Sequence, residues 1–297
     1  MFHGWPAYVI HNPAAEVVVV PAIGRLMQLK LAGAPTGPLW NHTRLDVALA
    51  PDENVWINFG GEKAWPAPQS GWQEVFGKGW PPPKTFDATP FSAKPVAGGV
   101  ELVSAVDPGY GVRVRRTLVL DPARPVLTIE TRYEKLDGPP VRIGVWTIAQ
   151  LVSPERLYVR LPATSSFPGG YALRLPAPPR DLRVEGRLLS LARDTTQKTM
   201  LGTDGEALLW VGDGPDLLVE TVAQTEGGDG WPAGAHAQIY TSPDDAESYV
   251  ELELLARLRD LRIGDRATMT TRYTLLPRTE KDPAAEAKRV FGVTASR

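Results

Sequence analysis

The sequence predicts an all-β sandwich, and three of its features do so. Short runs rich in β-branched residues alternate apolar with polar side chains at a period of two. Clusters of Gly, Pro and Asp punctuate these runs from the first segment to nearly the last. Helical windows are scarce, because the 29 prolines interrupt most stretches where an apolar stripe at helical spacing could form.

In chain order, strands are expected at 16–21, 111–120, 125–133, 140–150, Ala207–Val211, 216–222, Tyr249–Leu255 and 267–275. The two runs between residues 111 and 133 flank Asp121-Pro122-Ala123-Arg124-Pro125. The next turn is Lys135-Leu136-Asp137-Gly138-Pro139-Pro140, so this part reads as a meander of long antiparallel strands. The clearest helix is 282–290, where Asp282 suits the N-cap and Pro283 the first helical position. It is expected to close the sandwich. No repeat, low-complexity segment or linker divides the chain, and sandwiches can reach this size, so one domain over residues 1–297 is expected.

Composition narrows the function classes. With 43% hydrophobic and 22% charged residues the chain is neither disordered nor fibrous. A net charge of −2 gives no field that would recruit nucleic acid or an anionic membrane, so neither partner is expected. Arg113, Arg115 and Arg116 do not change this, since Arg113 and Arg115 alternate with Val112 and Val114 as the solvated face of a strand would. The absence of cysteine excludes disulfides, zinc–thiolate sites, iron–sulfur clusters and thiol nucleophiles. No HExxH, EF-hand, P-loop or GxSxG pattern occurs, so no metal or other cofactor is expected. No uncharged apolar run approaches membrane-spanning length, and residues 1–6 lack the pattern of a secretory signal; a cytoplasmic protein is expected.

Two stretches fit neither strands nor ordinary turns. Residues 56–83 carry Trp56, Trp65, Trp72 and Trp80 among many Gly and Pro residues, and 225–237 form a Gly-rich loop running up to His236. Long loops rich in aromatics are functional more often than disordered. In the first, Lys63, Trp65, Gln69 and Trp72 supply indole faces beside an ammonium and an amide, the equipment for a pyranose. The C–H face of a sugar stacks on indole, and its hydroxyls seek polar partners held on rigid backbone. Gly60-Gly61 would let the backbone approach such a ligand, and Pro66 and Pro68 would hold the loop open. The alternative is that the tryptophans plug one end of the sandwich, with Glu62 and Lys63 paired in solvent.

Strand alternation in Tyr249-Val250-Glu251-Leu252-Glu253-Leu254-Leu255 places Tyr249, Glu251 and Glu253 on one face. On a partly buried concave surface the two carboxylates would repel, raising one pKa and furnishing a general acid or base; facing water, they would be an ordinary polar face. Among the histidines, His42 and His236 lie next to turn-like segments and are site candidates, with a structural hydrogen-bonding role as the alternative.

The segment Gly60-Gly61-Glu62-Lys63-Ala64-Trp65-Pro66-Ala67-Pro68-Gln69 resembles a GG(D/E)KxWPAPQ motif of an uncharacterised bacterial family in the galactose mutarotase-like superfamily. Val18–Val20 leading into Gly24-Arg25 looks like that family's opening strand and turn. Residues 112–150 are similar to its long central strands. Glu253 followed by Leu261-Arg262-Ile263-Gly264-Asp265 resembles its late glutamate and L-x-P-G-E turn, with Ile263 and Asp265 departing from the pattern. The resemblance implies a galactose mutarotase-like β-supersandwich with a sugar-sized cleft, to which Arg25, Trp146 and Gln150 would also contribute. It implies a small-molecule carbohydrate ligand.

In aldose 1-epimerases of the superfamily a late glutamate takes the anomeric proton and a central histidine protonates the ring oxygen. Glu253, or Glu251 one alternation away, corresponds to the glutamate. The histidine has no counterpart in Gly144-Val145-Trp146-Thr147-Ile148-Ala149-Gln150-Leu151, a loss on the order of 10²–10⁴ in rate for a push–pull step. A carbohydrate-binding protein is therefore the first expectation. The alternatives are an epimerase-like enzyme with Glu253 as base and His236 as a displaced acid, and a protein-interaction scaffold that uses the Trp-rich segment.

Overall fold

The computed structural model describes residues 1–42, 56–245 and 247–292. Among these residues the chain forms two 10-stranded sheets, and their strand pairs are antiparallel. The first sheet runs Tyr8–His11, Ala15–Val20, Arg25–Leu31, Glu62–Ala67, Val141–Val152, Tyr249–Leu255, Ala237–Thr241, Thr199–Thr203 and Ala172–Leu173, with Arg259–Leu261 paired to Val141–Val152 off this path. The second runs Arg183–Glu185, Leu188–Leu191, Arg156–Arg160, Ala207–Val211, Asp216–Thr225, Arg266–Pro277, Val126–Lys135, Val112–Leu120, Gly99–Asp107 and Ser92–Val96.

Period-two patterning explains the layering. Val112–Leu120 alternates buried with part-exposed residues along its whole length, as does Val126–Lys135, so each strand turns one face to the core. Their buried residues, among them Val114, Leu118 and Ile129, join Val17, Leu29, Leu151 and Leu252 of the first sheet in one apolar cluster. Val141–Val152 is buried almost throughout, because the second sheet covers one face and the cleft-side elements cover the other. The expected helix is Pro283–Phe291: Asp282 caps it by accepting from the Ala284 amide at 3.0 Å, and Ala287 and Phe291 pack on Tyr158, Leu209 and Leu217.

The stretch expected to be a loop at 56–83 contains a strand of the sheet. Glu62–Ala67 lies between Arg25–Leu31 and Val141–Val152, pairing with the latter from Glu62↔Ala149 to Ala67↔Gly144. Pro66 is tolerated because the pairing with Arg25–Leu31 is confined to Leu26↔Glu62, leaving the rest of the strand with one neighbour. The Pro66 carbonyl accepts from Trp72 Nε1 at 2.9 Å.

Gly60 and Gly61 let the backbone entering this strand pass close to neighbouring main chain. Both have positive φ, and a Cβ would fall 2.3 Å from the Trp40 carbonyl oxygen and 2.4 Å from that of Leu26. Glu62 is not solvated either, because Arg116 on the opposite sheet donates to both its carboxylate oxygens at 2.6 Å and Tyr273 donates at 3.3 Å. Arg113 and Arg115 do lie on the outer face of their strand, paired with Glu134. Among the described residues no helix is long and apolar enough to cross a membrane.

Candidate functional site

Three neighbouring strands, Glu62–Ala67, Val141–Val152 and Tyr249–Leu255, form the floor of a cleft of about 760 Å³. Register decides which side chains share that floor. Trp65 is opposite Trp146, which is opposite Leu255. Lys63 is opposite Ile148, which is opposite Glu253. Gln150 is opposite Glu251, which is opposite Tyr240. Directly paired residues project from the same face, so two carboxylates, one ammonium and two indoles converge from segments as much as 190 residues apart in the sequence.

The two carboxylates are held differently. Glu253 is 1% exposed and accepts from Trp146 Nε1 at 2.8 Å. Burial, reinforced by the neighbouring Glu251, pushes its pKa well above the usual carboxylate range. Glu251 is also raised by burial, but Lys63 opposes the rise and Gln150 Nε2 donates to its Oε1 at 2.9 Å. Lys63 Nζ lies 3.7 Å from Glu251 Oε1, close enough to attract yet too far for a hydrogen bond, and Nζ has no hydrogen-bond partner among the described residues. It lies 4.7 Å from the centre of the Trp65 ring, and burial lowers its pKa to about 8. Of the pair, Glu253 is pushed toward its protonated form by burial and by Glu251, whereas Lys63 and Gln150 favour the ionised form of Glu251.

Asp87 fixes the walls. Its Oδ1 accepts from Arg25 Nη2 at 2.6 Å and from Trp65 Nε1 at 2.8 Å, and its Oδ2 accepts from Trp56 Nε1 at 3.0 Å. One buried carboxylate thus orients two indoles. Trp80 completes this aromatic wall, with ring centroids 5.0 Å from Trp56 and 5.9 Å from Trp65, and is 48% exposed at the mouth. Opposite are Tyr240, Tyr249 and Met200, with Glu247, Asp244 and the exposed Lys198 at the rim.

The cleft is lined by five of the residues singled out from sequence: Glu251, Glu253, Trp65, Gln69 and Trp146. Lys63, Gln150, Arg25 and Trp72 are instead buried behind that lining. Arg25 donates to Asp87 and to the Gly60 carbonyl, and Trp72 packs on Trp65 and Trp146, so both support the site without facing its opening. His236 does not line the cleft. Its ring packs on Trp231 with centroids 4.0 Å apart, burial lowers its pKa, and in the strand that follows, Ala237–Thr241, it is Gln238 that lies opposite Glu253. His42 rests beside Trp40 and is also outside the lining.

Trp56 and Trp80 belong to the tryptophan-rich stretch and carried a signal in the sequence. Asp87 carried none, being an ordinary acidic residue that ends the short helix Lys84–Asp87. Tyr240 could have been found only by knowing which strand pairs with Tyr249–Leu255.

No family model and no curated protein matches the sequence. Solved structures match its fold. A galactose mutarotase-like protein from Lactobacillus casei is 11% identical, with a TM-score of 0.63 over 91% of this chain and 100% of its own. A protein named provisionally as an aldose 1-epimerase from Escherichia coli K12 is 13% identical, with a TM-score of 0.61 over 93% and 100%. A galactose mutarotase related enzyme from Lactobacillus acidophilus is 9% identical, with a TM-score of 0.58 over 93% and 99%. The chain has the galactose mutarotase-like fold.

Proposed function

We propose that the protein binds a carbohydrate in this cleft, stacking a sugar ring against the tryptophans while Glu251 and Glu253 engage its hydroxyls. One observation carries the reading: Trp56, Trp65, Trp80 and Trp146 line a concave surface whose floor presents the buried Glu253 carboxyl beside the part-buried Glu251. Apolar walls with a few convergent polar groups are what a ring with one C–H face and many hydroxyls requires. The names of the fold neighbours, galactose mutarotase-like proteins among them, point the same way. A flat docking surface is disfavoured, since these aromatics line a hollow.

Titration of neutral mono- and disaccharides against intrinsic tryptophan fluorescence tests this. Saturable quenching is expected, and Trp80→Ala, which removes an exposed ring, should weaken it while leaving the melting temperature within about 1 °C. The absence of a saturable response across the panel would refute the proposal.

The unequal carboxyls favour a second reading, interconversion of sugar anomers. Glu251 would take the proton of the anomeric hydroxyl as the bond between C1 and the ring oxygen breaks. Glu253 would deliver its proton to that oxygen, and reclosure on the other face of the aldehyde would reverse both transfers. In this reading Glu253 serves as acid and Glu251 as base, because burial and the neighbouring Glu251 raise the proton affinity of Glu253 while Lys63 favours the charge on Glu251. Polarimetry on freshly dissolved anomers should show a rate above buffer that Glu253→Gln abolishes; an unaccelerated rate with binding intact leaves binding alone.

A further inference from the structure

We propose that the ligand carries an anionic substituent, a carboxylate or a phosphate, which Arg174 receives in a side pocket opening off the main cleft. The inference rests on the carbohydrate reading above and names the class of sugar.

A second hollow of about 240 Å³ shares Gln69, Trp146 and Met200 with the main cleft, so the two are contiguous. Their linings differ in charge. The main cleft is lined by Asp244, Glu247, Glu251 and Glu253 with Lys198 at its rim, whereas the side pocket is, among the described residues, lined by no carboxylate and contains Arg174 beside the neutral Gln69, Ser70 and Gln238.

Arg174 has no ion pair among the described residues. One bond holds its guanidinium, from Nη2 to the Ala233 carbonyl at 2.7 Å, with Phe167 6.0 Å away, and the buried Nε has no hydrogen-bond partner. Burial lowers its pKa with no carboxylate opposing it. A part-buried guanidinium without a counter-charge costs solvation energy that an incoming anion would recover, and its planar fork suits carboxylate and phosphate.

Position reinforces the argument. Gly202, Gln238, Glu253 and Ile148 are successive partners across four strands, hence a row on the cleft face. The Arg174 guanidinium lies over Gly202, where a Cβ would meet its Nε at 2.6 Å and Nη2 at 2.7 Å. Two strand spacings, about 10 Å, separate that position from Glu253, a length suited to a sugar ring bearing one charged group.

The test compares matched sugars on the full chain by fluorescence and calorimetry: glucose, galactose and mannose, each with its uronate and its 6-phosphate. At least one charged member should bind tenfold or more tightly than its neutral parent, an advantage that shrinks with added salt. The arm that gains identifies the anion. In Arg174→Gln, the charged and neutral members should bind within about twofold of each other. Gly202→Ala, whose new methyl displaces the guanidinium without removing its charge, should also reduce the advantage; this second variant guards against a folding defect in the first. Neutral sugars that bind as well as their charged counterparts, or an advantage surviving in Arg174→Gln, would overturn the side-pocket assignment alone. If no sugar of any class gives a saturable signal, the carbohydrate reading falls and the anion subsite falls with it.

Discussion

Asp87→Ala is the perturbation on which the architecture of the cleft makes its largest claim. The Asp87 carboxylate is 2% exposed and faces Arg25, which is fully buried. Removing one partner of a buried ion pair leaves an uncompensated charge and costs about 3–5 kcal/mol. With an unfolding entropy near 2.1 cal/mol/K per residue, a chain of 297 residues loses about 0.6 kcal/mol of stability per degree near its midpoint. The melting temperature should therefore fall by about 5–8 °C. The two indole N–H groups that share this carboxylate would lose their acceptor, so saccharide quenching should weaken as Trp56 and Trp65 become free to turn. Calorimetric melting and the fluorescence titration measure the two effects. The double variant Arg25→Met, Asp87→Leu should recover part of the stability, because neither charge then remains, but not the quenching. A drop of about 2 °C or less in Asp87→Ala would refute the reasoning, since Arg25 would then be satisfied by the Gly60 and Asp87 main-chain carbonyls alone.

Three further outcomes are expected. Glu220 is wholly buried, neither carboxyl oxygen has a hydrogen-bond partner among the described residues, and burial raises its pKa well above the carboxylate range. Such a group keeps its proton when folded and loses it when unfolded, so its contribution turns against folding as pH rises above the ordinary carboxylate pKa; Glu220→Gln should gain melting temperature relative to wild type between pH 4 and pH 7, and a constant difference would contradict this. Trp65→Ala should abolish sugar binding and also cost about 3–5 kcal/mol, because Trp65 is packed among Trp72, Trp80 and Trp146 and is more than a surface platform. Asp282→Ala should cost only about 1 kcal/mol, read as a shift of one or two degrees, with ligand titrations unchanged.

Where local pattern suffices, the sequence and the structure agree closely. The strand expected at 111–120 is Val112–Leu120, the one at 125–133 is Val126–Lys135, and Tyr249–Leu255 matches at both ends. Alternation along Tyr249–Leu255 also placed both glutamates on one face, the face that the structure turns to the cleft, and the Asp282-Pro283 pair marked the start of the helix, because caps and period-two faces are properties of neighbours in the chain. The strand Glu62–Ala67 escaped notice since Pro66 and the flanking glycines imitate a loop, and only its one-sided pairing makes proline acceptable there.

By itself, then, the sequence determined a sandwich of antiparallel strands, a capped closing helix, and a concentration of indoles in one segment and of carboxylates on one strand face. Tertiary structure alone decided that Asp87 would orient the indoles, that His236 would turn to Trp231, and that Arg174 would lie beside the cleft with no ion pair among the described residues. The physical reason is distance along the chain. Alternation and capping act over a few residues, as does the repulsion from Glu251 two positions away, whereas the proton affinity of Glu253 depends also on burial and on Trp146 and Lys63, which are brought near it by the register of separate strands.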